Sequence, residues 1–322
     1  DLMLVVMSAT LDAAPVAALL DDAPVVTSEG RAFPVETRWL DQPMSKRTRF
    51  EDAVAGLVER AVAETEGGVL VFLPGEGEIR RVEALLAGRL PHCVLRPLFG
   101  AMDLAGQRAA IRPGGDRKVV LATSIAETSL TIEDVRVVVD AGRARRARVD
   151  PGTGMSRLVT ERVSRAEADQ RRGRAGRVAE GTCYRLWTRG EEGALPAYPP
   201  AEIETADLAS LALELAEWGA SDLAILTPPP ATALAEARAL LADLGALDGG
   251  RITWHGKALA RMPLHPRLAH MLAKAGRGAA PLAALLGDRD PLRQAGSDLG
   301  LRLDALAAGD KSPAFQRIRA EA

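Results

Sequence analysis

Short apolar runs alternate with helix-like stretches between residues 49 and 140, and this alternation constrains the fold of the 322-residue chain more than any other feature. The strand-like runs lie at 69–73, 93–98, 118–123 and 135–140, and the helix-like stretches lie at 49–66, 75–86 and 103–111. This spacing predicts an α/β fold with a parallel sheet and helices on both faces. Ligands of such sheets bind beyond the carboxyl ends of the strands, so we expect a site near the loops after Leu73, Thr123 and Asp140.

The segment before this region reads differently. The apolar run LMLVVM at residues 2–7 is typical of a strand buried on both faces. Residues 11–20 have the pattern of a helix, and residues 28–40, which contain Pro34, have that of an extended linker.

A β-hairpin is predicted at 143–162. Its turn is the PGTG stretch, which separates two semi-alternating runs. Such a hairpin would present Arg143, Arg145 and Arg157, and a last strand is predicted at 183–187.

From Glu202 onward the chain becomes a series of Leu- and Ala-rich helices. Two helices followed by the short hairpin pattern LDGGRITWHGKALA have the order of a winged helix. Such a domain is either a DNA reader or a structural wedge, and the few basic side chains on its helices favour the wedge. After Pro263 the pattern is helical again and predicts a helical bundle.

The stretch QRRGRAGR, residues 170–177, concentrates four arginines and two glycines. Arg174 and Arg177 lie three residues apart, and the glycines would let the backbone turn so that both guanidinium groups face one target. Such planar cations suit phosphate oxygens and stabilise the charge on a transferring γ-phosphoryl group. Gln170 can orient an attacking water. The alternative is a generic basic loop that binds RNA without catalysis.

A second stretch, ATSIAETSLTIE at 122–133, follows a predicted strand. The hydroxyls of Thr123, Ser124 and Thr128, together with backbone N–H groups, can grip a phosphate backbone without reading bases. The alternative is an ordinary capped loop between a strand and a helix.

The charge distribution is uneven. The whole chain has a formal net charge of −2, yet residues 143–177 hold eleven arginines and four acids, a local +7 that leaves about −9 elsewhere. A basic stripe on an acidic body is the pattern of a polyanion-binding surface. The alternative is a solvated, salt-bridged face.

Two cysteines, Cys93 and Cys183, lie in apolar runs and predict buried thiols in a reduced, cytoplasmic protein. They are too few for a zinc site, and we expect no metal site in this chain. No apolar run reaches the eighteen or so residues that a membrane-spanning helix needs, so we expect no membrane partner.

Four stretches in chain order resemble motifs III, IV, V and VI of the DEAH-box helicases of superfamily 2. They are SAT at 8–10, VFLPGEGEI at 71–79, ATSIAETSLTIE at 122–133 and QRRGRAGR at 170–177. Details such as GRAFPVETRWL, RVDPGTGMSRL and LPLHPRLAHML resemble the bacterial HrpB-type branch of that family. The resemblance covers essentially the whole chain and implies a RecA-like parallel sheet.

The resemblance implies roles for individual residues. Gln170, Arg174 and Arg177 would face the γ-phosphate of ATP held by another RecA-like domain, which would also bind most of the Mg²⁺. Glu133 stands where the family has an Asp that contacts the nucleotide, and Gly142 and Arg171 are expected to bind the nucleotide as well.

On the nucleic-acid side, the resemblance implies contacts from Gly75, Thr123, Ser124 and Thr128; Ser124 replaces a family Asn. Ser8 and Thr10 would couple the ATP site to domain closure, and the hairpin would separate or guide strands.

The resemblance also implies domain bounds. The end of a first RecA-like domain would occupy 1–27, a second RecA-like domain 28–190, a winged helix 191–262 and a helical bundle 263–322. The sequence contains neither a P-loop nor a DEAH quartet, which this chemistry requires. We therefore expect a piece of a longer protein that neither hydrolyses ATP nor unwinds nucleic acid by itself.

The function implied for the intact protein is that of an ATP-dependent RNA helicase or translocase, with single-stranded nucleic acid, favoured to be RNA, as partner. Two alternatives stay open: a translocase on single-stranded DNA, and a non-enzymatic nucleic-acid-binding or adaptor protein with a helicase-like fold.

Overall fold

A computed structural model describes residues 3–7, 13–27, 33–128, 132–150, 155–219, 223–288, 290–292 and 295–322. The chain divides into two compact units. The first comprises Asp1–Arg148 and Arg157–Pro200, and the second comprises Val149–Ser156 and Ala201–Ala322. Within the described ranges, no helix is both long enough and apolar enough to cross a membrane.

Among the residues that the structure describes, eight strands form the sheet and the longer hairpin. They are β1 (Val35–Leu40), β2 (Gly68–Phe72), β3 (Val94–Leu98), β4 (Lys118–Ala122), β5 (Val135–Asp140), β6 (Arg143–Asp150), β7 (Met155–Arg162) and β8 (Gly181–Thr188). Six of them form one sheet in the order β1-β8-β5-β2-β4-β3, and every neighbouring pair in it is parallel. β6 and β7 pair with each other, as predicted for the hairpin.

The described residues of this part of the chain include seven α-helices. They are α1 (Ala13–Leu19), α2 (Phe50–Glu64), α3 (Glu76–Ala87), α4 (Leu104–Ile111), α5 (Ile125–Thr128), α6 (Arg165–Gly173) and α7 (Arg189–Gly193). β2 and β4 are buried along their whole length, because apolar clusters cover both faces of the sheet. α2 lies within the helix-like stretch 49–66 and buries one apolar face, which includes Val54, Leu57 and Val58. The α/β prediction with a parallel sheet is therefore confirmed.

The second unit is helical with one small hairpin. Its elements are α8 (Ala209–Trp218), α9 (Ala231–Asp243), β9 (Leu247–Asp248), β10 (Arg251–Ile252), α10 (Trp254–Ala260), α11 (Pro266–Ala275), α12 (Ala280–Gly287), α13 (Leu299–Ala307) and α14 (Pro313–Glu321). Gly249 and Gly250 both have positive φ, which the tight turn between β9 and β10 requires. One apolar cluster packs helices α8–α11 together and another packs helices α12–α14 together, so the order of two helices and a hairpin and the later helices are as predicted. The hairpin predicted over LDGGRITWHGKALA is wrong in its second half, since Trp254–Ala260 form α10.

Two predictions for the first 40 residues are wrong. Met3–Met7 form no strand, and their side chains are 56–87% exposed. A buried strand needs hydrogen-bonded neighbours, and no described strand pairs with this run. The predicted linker contains β1, which pairs with β8. The polar residues of β1 made it look like a linker, but a strand at the edge of a sheet tolerates them. Pro34 lies just before β1, where its missing N–H costs no hydrogen bond of the sheet.

Candidate functional site

The predicted site loops lie side by side. β5, β2 and β4 are adjacent and parallel, so the loops after Phe72, Ala122 and Asp140 leave the same edge of the sheet. Backbone hydrogen bonds from Leu73 to Ala122 (2.8 Å) and from Ala141 to Phe72 (3.2 Å) extend the pairing past the strand ends. The carboxyl edge of the sheet thus holds the three loops together.

Two of these loops carry the residues expected on the nucleic-acid side. Gly75 is buried at the start of α3, and a Cβ there would collide with the guanidinium of Arg145. Thr123 is partly exposed and Ser124 is exposed, and both directly precede α5. Thr128 ends α5, but its side chain lies outside what the structure describes.

The residues on the third loop are arranged around a left-handed glycine. Gly142 has φ +70°, and a Cβ on it would lie 2.8 Å from the Trp187 ring. Its N–H donates to Asp140 Oδ1 at 2.9 Å. Glu133, which precedes β5 in the sequence, is exposed.

The QRRGRAGR stretch is not the loop that the glycines suggested. Its first four residues end α6, which begins with a capping box between Ser164 and Glu167, and Arg174–Gly176 form a 3-10 turn. Gly173 has φ −57° and Gly176 also lies outside the left-handed region, so neither supplies a special turn. Gly176 is needed for a different reason, because a Cβ there would lie 2.5 Å from the carbonyl oxygen of Phe33.

Arg171 lies at the centre of a buried ionic cluster. Its side chain is 1% exposed, and its Nε and Nη2 lie 2.7 and 2.6 Å from Glu127 Oε1. Its Nη1 donates to Asp140 Oδ1 at 2.8 Å and to the Arg143 carbonyl at 3.3 Å. The guanidinium also lies over the Phe72 ring, 5.0 Å from its centroid. These donors point inward, which makes Arg171 a structural centre in this arrangement.

Arg174 and Arg177 differ in environment. Arg174 is 5% exposed, and its guanidinium donates to the backbone carbonyl of Glu127. Burial, reinforced by the charge of Arg177, lowers the pKa of Arg174 to about 10, which still leaves it cationic at neutral pH. Arg177 is exposed, and Gln170 is partly exposed near the end of α6.

Most of the basic stripe is neutralised by nearby carboxylates. At least six of its eleven arginines pair with an acid: Arg145, Arg146, Arg148, Arg162, Arg171 and Arg172. Arg143 instead stacks on Phe50, 4.1 Å from its ring centroid. The salt-bridged-face interpretation therefore fits the base of the hairpin, while Arg157 stays exposed.

Two candidate functional residues, Glu127 and Asp140, were not predicted from the sequence. Glu127 is 9% exposed, and burial raises the pKa of its carboxyl group while Arg171 opposes that rise. A signal existed for Asp140, because it ends the strand VRVVVD, in which the other residues apart from Arg136 are valines, and a buried carboxylate needs a partner. Ser8 and Thr10 lie outside the described residues.

Comparisons with known proteins fit this geometry. Residues 52–179 match the helicase conserved C-terminal domain, and residues 237–264 match the winged-helix helicase-associated domain HA2. The chain is 46% identical to the ATP-dependent RNA helicase HrpB of Escherichia coli over 98% of its own length and 39% of that protein's length.

The chain belongs to the DEAH-box helicase family. It superposes on a crystal structure of the E. coli DEAH/RHA helicase HrpB with a TM-score of 0.88, at 45% identity, over 98% of this chain and 40% of that one. A eukaryotic relative, the pre-mRNA-splicing factor prp22 of Schizosaccharomyces pombe, is 37% identical over 84% of this chain and 24% of its own length. The chain thus spans about two fifths of the HrpB protein that it matches.

Proposed function

We propose that this chain supplies the nucleic-acid-binding and arginine-finger half of an ATP-dependent RNA helicase of the DEAH-box type. One observation carries the proposal. Thr123 and Ser124 directly precede α5, and Glu127 near the other end of α5 contacts both Arg171 and Arg174. The residues proposed to bind phosphate and the contacts to the proposed arginine fingers therefore lie at the two ends of one short helix.

On the nucleotide side, Arg177 and Arg174 act on the γ-phosphate of an ATP bound by the first RecA-like domain. Guanidinium groups placed there stabilise the charge that builds up during phosphoryl transfer. Arg177 is exposed and so reaches a partner surface directly, while Arg174 holds its position through Glu127. Gln170 orients the attacking water.

Glu133 and Gly142 complete the nucleotide side of this proposal. Mg²⁺ is expected to be held mainly by the first RecA-like domain, of which this chain would carry only the end. Among the described residues of this chain, no group of three or more His, Cys, Asp or Glu side chains could hold a metal ion.

On the nucleic-acid side, Thr123, Ser124, Thr128 and the backbone at Gly75 hold the sugar–phosphate chain. Hydroxyl and N–H donors of this kind position a strand without reading its sequence. Ser8 and Thr10 transmit closure of the ATP cleft, and the hairpin of β6 and β7 guides the strand. The proposal predicts little sequence preference and a steep dependence of affinity on salt.

The proposed domain bounds are 1–27, 28–190, 191–262 and 263–322. The match to the helicase C-terminal domain at 52–179 lies inside the second of these, and the HA2 match at 237–264 overlaps the third. The winged helix acts as a structural wedge.

The test is steady-state ATP hydrolysis by the full-length protein with no nucleic acid, with single-stranded RNA and with single-stranded DNA. RNA-stimulated turnover is expected, and the chain of 322 residues alone is expected to show none. Stronger stimulation by DNA would favour a DNA translocase. Nucleic-acid binding without any turnover would favour a non-enzymatic adaptor and would contradict the proposal.

A further inference from the structure

We infer that Glu127 is a positioning residue that couples the nucleic-acid loop at Thr123 and Ser124 to the arginines of α6 and its 3-10 turn. The inference rests on the proposed function and adds to it a residue through which a bound strand changes the rate of ATP hydrolysis.

Glu127 holds two arginines with two different parts of its structure. Its carboxylate Oε1 accepts from Nε and Nη2 of Arg171 at 2.7 and 2.6 Å, and its backbone carbonyl accepts from the guanidinium of Arg174. A shift of Glu127 therefore moves the hydrogen-bond acceptors of both arginines together.

The contacts are buried, which makes them stiff. Arg171, Glu127, Asp140 and Arg174 are 1%, 9%, 0% and 5% exposed, and they comprise two cations and two carboxylates. Charges in a low-dielectric interior attract strongly, and a charge separated from its partner there is costly. The four residues are thus held as one charge-balanced unit.

The connection between these four buried residues and the nucleic-acid loop is short. α5 spans Ile125–Thr128, and the N–H of Glu127 donates to the carbonyl of Ser124 at 2.9 Å. A displacement of the Ser124 backbone by a bound phosphate therefore passes to Glu127 within one turn. From there it reaches Arg174, whose pKa is lowered in part by the charge of the exposed Arg177.

Asp140 provides the matched comparison within the same cluster. It binds Arg171 at 2.8 Å from the end of β5, but it makes no hydrogen bond to Arg174 among those described. Loss of either carboxylate weakens the buried cluster, but only loss of the Glu127 carboxylate releases Arg171 from α5. The backbone carbonyl that Arg174 contacts stays, but it then lacks the ion pair that holds Glu127 in place. A purely structural cluster would respond alike to both changes.

The experiment uses the full-length protein and measures ATP turnover with and without single-stranded RNA. The ratio of the two rates is the decisive quantity, because the fraction of folded protein cancels in it. Glu127→Gln is expected to lower this ratio about fivefold or more. Asp140→Asn is expected to keep the ratio within about twofold of wild type while destabilising the protein to a similar extent.

Glu59→Gln is the surface control, since the partly exposed Glu59 pairs with Arg89 at 3.6 Å and makes no other ion pair among the described residues. If Glu127→Gln does not fold, Glu127→Asp takes its place and is expected to lower the ratio as well. A wild-type ratio in the Glu127 variant, or an equal fall in the Asp140 variant, overturns the coupling role. Absence of RNA stimulation in the wild-type protein would instead overturn the proposed function.

Discussion

Arg171 and Arg177 belong to the same eight-residue motif and lie in opposite environments. Arg171 is 1% exposed, and its donors face Glu127 and Asp140, whereas Arg177 is exposed beyond the 3-10 turn. The first holds α5, α6 and the end of β5 together, and the second is accessible to a partner surface. Residue type and motif membership therefore do not fix the role of an arginine, because burial and partners do.

Replacing the buried arginine should have the largest effect on stability. Arg171→Met leaves two carboxylates in the interior without their cation, so we expect a loss of about 3–5 kcal/mol in the free energy of unfolding. Arg177→Ala should change it by less than about 0.5 kcal/mol. Urea unfolding, monitored by hydrogen exchange of the β5 amides, measures the free energy of unfolding of both variants. A loss below about 1 kcal/mol for Arg171→Met would show that the cluster is not a structural centre.

The hairpin offers a second test of paired against exposed arginines. Arg148 is engaged with Glu161 at 2.6 and 2.7 Å, whereas Arg157 is exposed. Arg157→Ala should reduce the slope of log affinity for RNA against log salt by about one, since one phosphate contact is lost. Arg148→Ala should change the slope less. Equal slopes in the two variants would mean that pairing in the free protein does not decide which arginine meets phosphate.

Replacing Phe50, the aromatic partner of Arg143, should have the smallest effect on stability. Its guanidinium lies 4.1 Å from the centroid of Phe50 in a partly exposed setting. Phe50→Leu keeps most of the apolar area and should cost about 0.5–1 kcal/mol, the usual size of such a contact. Thermal unfolding measures it, with Arg143→Ala as the reciprocal change. A loss near that of Arg171→Met would imply that this contact, too, anchors the hairpin.

The sequence predicted the central sheet well because short apolar runs such as VLVFL and KVVLA, which alternate with helix-like stretches, are typical of strands buried on both faces. It failed for β1, whose polar residues suit an edge position that only pairing with β8 reveals. It failed for LMLVVM because an apolar run forms a strand only beside another strand, and none described lies there.

The candidate site was predictable at positions where the residue type of the motif itself indicates a chemical role. Thr123, Ser124 and Arg177 lie at or near the surface, as a phosphate site needs. The role of Glu127 was hidden, because its partner Arg171 is 44 residues away and the contact arises only from folding. The need for glycine at 176 was equally hidden, since it comes from the approach of the Phe33 carbonyl.

The most direct test of the contrast between the two arginines is RNA-stimulated ATP turnover by the full-length protein carrying Arg177→Ala. Arg165→Ala is the control, because Arg165 is also exposed and lies at the start of α6. The account predicts a fall of about 10²–10³-fold in turnover for Arg177→Ala, with RNA affinity kept and Arg165→Ala near wild type. Equal turnover in both variants would contradict the account, because the exposed arginine of the motif would then have no part in the reaction.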